Sequence, residues 1–144
     1  MKKKPVLVTV STVIEAPPGR IYDAWLIPQN ASKWLFATPT GEMVRADIEP
    51  RVGGTFTFTD RRDGEDVVHT GRYLELVPGK RLMFTFKVPK YSKVETTVRV
   101  EITPQSGGCR VVLNHQGVMP EHAEAAREGW IKMLEALAKE TSKP

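Results

Sequence analysis

Few residues of this chain have chemistry to offer: three histidines, one cysteine and a spaced set of aromatics. His69, mid-strand beside Gly71 and Tyr73, could orient a polar ligand group or act as a general base near neutral pH. No acid partner can be assigned to it, so the plainer reading is a hydrogen-bonded strand histidine. His115 and His122 are separated by a turn and could approach each other. Two imidazoles without a third ligand make a poor zinc site, so no metal is expected. Cys109 is the only cysteine, which excludes an intrachain disulfide, and it reads as an inert buried thiol. There is no Gly-x-Ser-x-Gly, His-Glu-x-x-His, Cys-x-x-Cys or Gly-x-Gly-x-x-Gly, and Gly79-Lys80 lacks the rest of a phosphate loop. Common hydrolase, zinc and nucleotide signatures are therefore missing, and no cofactor is implied. An unusual active site stays open.

The aromatics carry the stronger hint. Trp34, Phe56, Phe58, Tyr73, Phe84, Phe86 and Trp130 could line one concavity, with Met133 and His69 beside them. An apolar pocket with a few polar groups is the usual form of a small-molecule site. Plain core packing is the competing reading, because the same side chains must fill the space under a sheet.

The elements that must position them follow from periodicity. Residues 6–15 are rich in β-branched side chains and read as a strand, stopped by Pro17-Pro18. Two short helices follow, one around Ile21 to Trp25 and one over 29–36. Strands are expected at 44–49, 54–60, 66–77, 81–88, 93–103 and 109–116, separated by Gly- and Pro-containing turns. Such spacing suits antiparallel hairpins, since parallel neighbours need crossover helices. Alternation gives one apolar face, with Phe56 and Phe58, then Leu82, Phe84 and Phe86, pointing one way. In 66–77, Val68, Leu74 and Leu76 compete with Val67, His69 and Tyr73 for the inner face, which suggests a bulge. Residues 120–140 read as a long helix with an apolar stripe through Ala126, Trp130, Met133, Leu134 and Leu137.

With 144 residues, the chain reads as one domain over 1–144, with its core at roughly 6–140. Its net charge of +4 is too mild to imply nucleic acid, and the Lys2-Lys3-Lys4 run reads as a solvated tail. Arg61-Arg62-Asp63-Gly64-Glu65-Asp66 reads as a solvated hairpin tip. No apolar run is long enough for a membrane span. The N-terminal apolar stretch is broken by hydroxyls and lacks a cleavage site, so a cytoplasmic protein is expected. An uncovered strand at 44–49 offers an edge for a homodimer.

The ordered set of elements resembles the START-like, or SRPBCC, superfamily, and within it the Hsp90-ATPase-activator homologue (AHSA1-like) family. The residues that carry the likeness are Ala16 to Trp25, Lys33-Trp34-Leu35, Val52-Gly53-Gly54-Thr55-Phe56, Gly71 to Pro78 with Arg81 to Phe86, and Gly129-Trp130 with Leu134 and Leu137. It spans roughly residues 8–138. The resemblance implies an α+β helix-grip fold, a curved antiparallel sheet wrapped around a long C-terminal helix with a cavity between. It implies three functional classes. First is a binder of a hydrophobic, aromatic or lipid-like small molecule. Second is a cyclase- or hydratase-like enzyme using His69, Tyr73 and either Asp60 or Glu95. Third is an Hsp90 co-chaperone or interaction domain. The first is preferred, because an aromatic inner face occurs without a catalytic signature.

Overall fold

The computed structural model describes residues 4–142, so Lys2 and Lys3 of the basic run lie outside the described residues. Strand β1 (Val6–Ile14) leads into helix α1 (Pro18–Leu26) and the one-turn helix α2 (Pro28–Ala31). Six strands follow: β2 (Glu42–Ile48), β3 (Thr55–Arg62), β4 (Glu65–Val77), β5 (Arg81–Phe86), β6 (Thr96–Gln105) and β7 (Gly108–Val118). Helix α3 (Pro120–Thr141) closes the chain. The strands form one antiparallel sheet in the order β1-β7-β6-β5-β4-β3-β2. This is the α+β helix-grip arrangement that the resemblance implies.

The sequence accounts for the elements. Among the described residues, prolines stand in the first turn of each of α1, α2 and α3, where the missing N–H costs nothing. β-Branched and aromatic residues at period two supply the strands, and their apolar sides meet under the helices. Val98, Val100, Ile102, Cys109, Val111 and Leu113 are buried on the β6–β7 portion of that face. Helix α3 lies over β1 and β7 and against α1, sealing this half with Trp130, Leu134 and Leu137. The other half, under β3 to β5, is covered by Trp25, Trp34, Leu35 and Phe36 from the α1–α2 region.

Two local features decide where the inner-face side chains point. Asp63 and Gly64 both have positive φ, 50° and 79°, and join Arg62 to Glu65 as a two-residue hairpin. This is the type I′ combination that an Asp-Gly pair favours, and it fixes the register of β3 against β4. Phe56, Phe58, Asp60 and Arg62 therefore share the inner face. In β4, the register shifts between Tyr73 and Glu75. Val67, His69 and Tyr73 are buried before the bulge and Leu76 packs on the core after it, while Val68 and Leu74 are exposed.

The second helix is shorter than its pattern predicts. It ends at Ala31 and residues 32–36 continue as turns, ending at Phe36 with φ of 59°. A bulky residue in the left-handed region is unusual. Phe36 is held there by its contacts, described below.

Candidate functional site

Where α3 diverges from β3 to β5, a cavity of about 780 Å³ opens between them. Its walls come from the segment after α2, from four strands and from α3. The segment 33–39 supplies Trp34, Phe36 and Thr38, and the sheet supplies Arg62, His69, Phe86 and His115. Helix α3 supplies Ala126, Gly129, Trp130, Met133 and Ala136. The small residues of α3 leave the space: a Cβ added at Gly129 would meet nothing within 4 Å. Thus α3 has two working flanks, with Leu134 and Leu137 buried in the core and Ala126, Gly129 and Met133 bounding the cavity.

Phe36 is the hub of the wall. Its ring stacks on His69 at 4.7 Å and on Phe86 at 5.0 Å between centroids. It also meets Phe58 and Trp130 edge-on, at 5.5 and 6.1 Å. Its backbone N–H points at Met133 Sδ, 3.3 Å away, and its carbonyl accepts from Arg62 Nη2 at 3.3 Å. Offset and edge-on ring contacts each contribute on the order of 1 kcal/mol beyond area burial. Together they offset the cost of a left-handed backbone, roughly 1–2 kcal/mol.

Five of the nine sequence-proposed site residues line this cavity: Trp34, His69, Phe86, Trp130 and Met133. Phe56, Tyr73 and Phe84 instead surround a void of about 10 Å³ with Trp25 and Leu82, too small for more than packing imperfection. Phe58 is fully buried and lines neither space. Phe36, Arg62 and His115 are cavity residues that the sequence reading did not propose as such. The signal for Arg62 was available, because the Phe56–Phe58 alternation carried two steps further reaches it through Asp60. Phe36 carried no such signal, since its position depends on a turn conformation unusual for its type. The Arg62 side chain thus departs from the solvated-tip reading, whereas Arg61 pairs with Asp66 in the open.

Asp60 is fully buried, at 0% exposure. Its Oδ2 accepts from Arg62 Nε and from Thr38 Oγ1, both at 2.8 Å, while Oδ1 has no hydrogen-bond partner. The carboxylate fits because Gly41 has no side chain: a Cβ there would run into Thr38 Oγ1 and lie 2.5 Å from Asp60 Oδ2. Arg62 thereby crosses from a buried anchor to the cavity.

His69 and His115 are held neutral. His69 Nδ1 lies 3.4 Å from the Phe58 carbonyl, a position for an N–H donor, which leaves Nε2 as the acceptor. Burial, then the nearby Arg62 charge, push its pKa down to about 4. His115 is likewise pushed to about 4 by burial. Its Nδ1 accepts from Trp130 Nε1 at 3.0 Å and its Nε2 is 2.7 Å from Thr96 Oγ1. Groups with pKa values this far below 7 are weak bases. Burial raises the Tyr73 hydroxyl well above its ordinary range. Glu95 is exposed in the β5–β6 connection, away from the acid-base role that the enzyme reading gave it. His122 is exposed at the start of α3, and among the described residues no group of three or more His, Cys, Asp or Glu is placed to hold a metal. Cys109 is buried with Sγ 3.4 Å from the Ala16 carbonyl, and burial pushes its thiol up, as an inert thiol requires.

Comparison with known proteins places this geometry. The model of the family "Activator of Hsp90 ATPase homolog 1-like protein" matches residues 15–141. The chain belongs to the AHSA1-like family. Among solved structures, the Chromobacterium violaceum protein CV1439 is 26% identical, over 96% of this chain and 98% of that one, with a TM-score of 0.89. An AHSA1-like protein from Aeromonas hydrophila is 18% identical, covering 94% of this chain and 91% of its own, with a TM-score of 0.81. The Nitrosomonas europaea protein NE0264 is 19% identical over 94% and 93%, with a TM-score of 0.80. The last two likenesses are of fold alone. No curated protein matches the chain. The AHSA1-like fold suits a ligand-binding or co-chaperone-like domain, and no described helix is long and apolar enough to cross a membrane.

Proposed function

We propose that this AHSA1-like chain binds a small, largely apolar molecule in the cavity between α3 and the sheet. The observation that carries the reading is the cavity itself. At about 780 Å³ it falls within the roughly 300–1,000 Å³ of small-molecule sites, and its wall sets Trp34, Phe36, Phe86, Trp130 and Met133 beside polar and charged side chains. The titratable groups favour binding over acid-base catalysis. His69 and His115 are held neutral with low pKa, and Asp60 is committed to Arg62 and Thr38. Neither histidine on the cavity wall is tuned toward pH 7.

Titration with Nile red, a neutral dye that brightens in apolar surroundings, tests the proposal. Saturable binding at one site per chain is expected, and Ala126→Trp should weaken it at least tenfold by filling the cavity from α3. Equal dye binding by the folded variant and the wild type would refute the assignment.

A further inference from the structure

The charged side chains that line the cavity are mostly cationic. Arg62 and three lysines, Lys33, Lys132 and Lys139, line it against a single acid, Glu135. Arg62 differs from the lysines because it is built in. Its side chain is 28% exposed and rests on a carboxylate that is fully buried. Nε is spent on Asp60 and one Nη2 hydrogen on the Phe36 carbonyl. A guanidinium carries five N–H groups, so three remain uncommitted on a residue that lines the cavity.

Burying Asp60 is costly, and an ion pair is rarely the most stabilising solution at such a place. The arrangement does fix a guanidinium at a set distance from an aromatic wall. His69 stands beside it as a neutral ring, adding no opposing charge. A planar fork of this kind matches a carboxylate better than any other common small anion end, apart from phosphate.

Resting on the binding reading above, we infer that the ligand is an amphiphilic carboxylate: an aromatic or alkyl body against Phe36, Phe86, Trp130 and Met133, with its carboxylate on Arg62. Asp60 is then a positioning residue and Arg62 the binding one. The lysine rim adds electrostatic attraction for an anion entering the cavity.

The test compares matched probes that displace Nile red: 2-naphthoate and decanoate against the neutral 2-naphthylmethanol and decanol. Wild-type protein should prefer each acid over its alcohol by about 10- to 100-fold, the range of a charge-assisted hydrogen bond. Arg62→Met should erase that preference, each acid losing at least tenfold more affinity than its alcohol. If Arg62→Met does not fold, the double variant Asp60→Asn/Arg62→Met removes both charges and serves the same purpose. Naphthyl phosphate is a further arm, and a preference for it over 2-naphthoate would overturn the carboxylate assignment. Alcohols and acids binding equally to wild type would overturn the inference and leave the cavity reading intact. Failure of every probe, with Nile red also unbound, would overturn both.

Discussion

Trp130 donates its indole N–H to His115 Nδ1 across 3.0 Å, joining the long helix to the sheet at the floor of the cavity. The bond fixes the imidazole tautomer. Nδ1 is an acceptor, so Nε2 carries the proton and donates to Thr96 Oγ1, which donates in turn to the Phe86 carbonyl at 3.1 Å. His115→Leu is expected to leave the buried Trp130 N–H without an acceptor and to cost about 1–3 kcal/mol. Chemical denaturation measures the loss. A variant as stable as wild type would show that the chain of bonds is not holding Trp130.

The same chain predicts a pH dependence. A second proton on His115 would set two N–H groups facing each other, which acts in the same direction as burial. Unfolded histidine titrates near 6.5, and the folded His69 and His115 near 4. Between those values the unfolded chain binds more protons, so stability falls as pH drops through that window. The loss reaches roughly 3 kcal/mol per histidine at pH 4. Urea midpoints recorded from pH 7 to 4 should decline steadily. A flat profile would contradict the neutral burial of these rings.

Gly129 and Gly71 should respond oppositely to alanine. A Cβ at Gly129 meets nothing within 4 Å, and helix interiors favour alanine by about 1 kcal/mol, so Gly129→Ala should raise stability by that amount. A Cβ at Gly71 would run into the Thr85 carbonyl and lie 2.6 Å from the Phe56 ring that faces it across the ladder. Gly71→Ala should cost about 3 kcal/mol or more. Thermal melts of both variants decide it, and equal effects would mean that the cavity wall at Gly129 is not open.

The Asp60–Arg62 pair should behave asymmetrically. Removing Arg62 strands a fully buried carboxylate, at a cost of about 3–5 kcal/mol, whereas removing Asp60 leaves a guanidinium that can turn to solvent. Arg62→Ala is therefore expected to destabilise more than Asp60→Ala, and the double variant less than the sum. A double-mutant cycle reads all three, and additive losses would count against coupling.

Much of the fold was legible because period-two alternation and turn chemistry act locally. The strands at 81–88 and 109–116, the bulge in 66–77 and the helix at 120–140 all follow from spacing alone. The site was half legible. Alternation says that Phe56 and Phe86 face inward, but not that Phe56 packs against Tyr73 and Phe84 while Phe86 borders open space. That difference is set by where α3 departs from the sheet, a distance no single strand encodes. Phe36 was missed for a related reason. Its left-handed backbone is held by His69, Phe86 and Arg62, which are distant in sequence. Arg62 was hidden by its neighbours, since a charged run around Asp-Gly resembles a solvated tip whichever way each side chain turns.

The central claim, that a small apolar molecule occupies the cavity, is tested most directly by the Trp130 indole N–H resonance during titration with 2-naphthylmethanol. The cavity account predicts a saturable shift there, accompanied by the Phe36 amide and the His69 ring, with the Val13 amide on the outer face unmoved. A Trp130 signal that stays fixed at saturating probe, or shifts confined to exposed residues such as Tyr91, would contradict it.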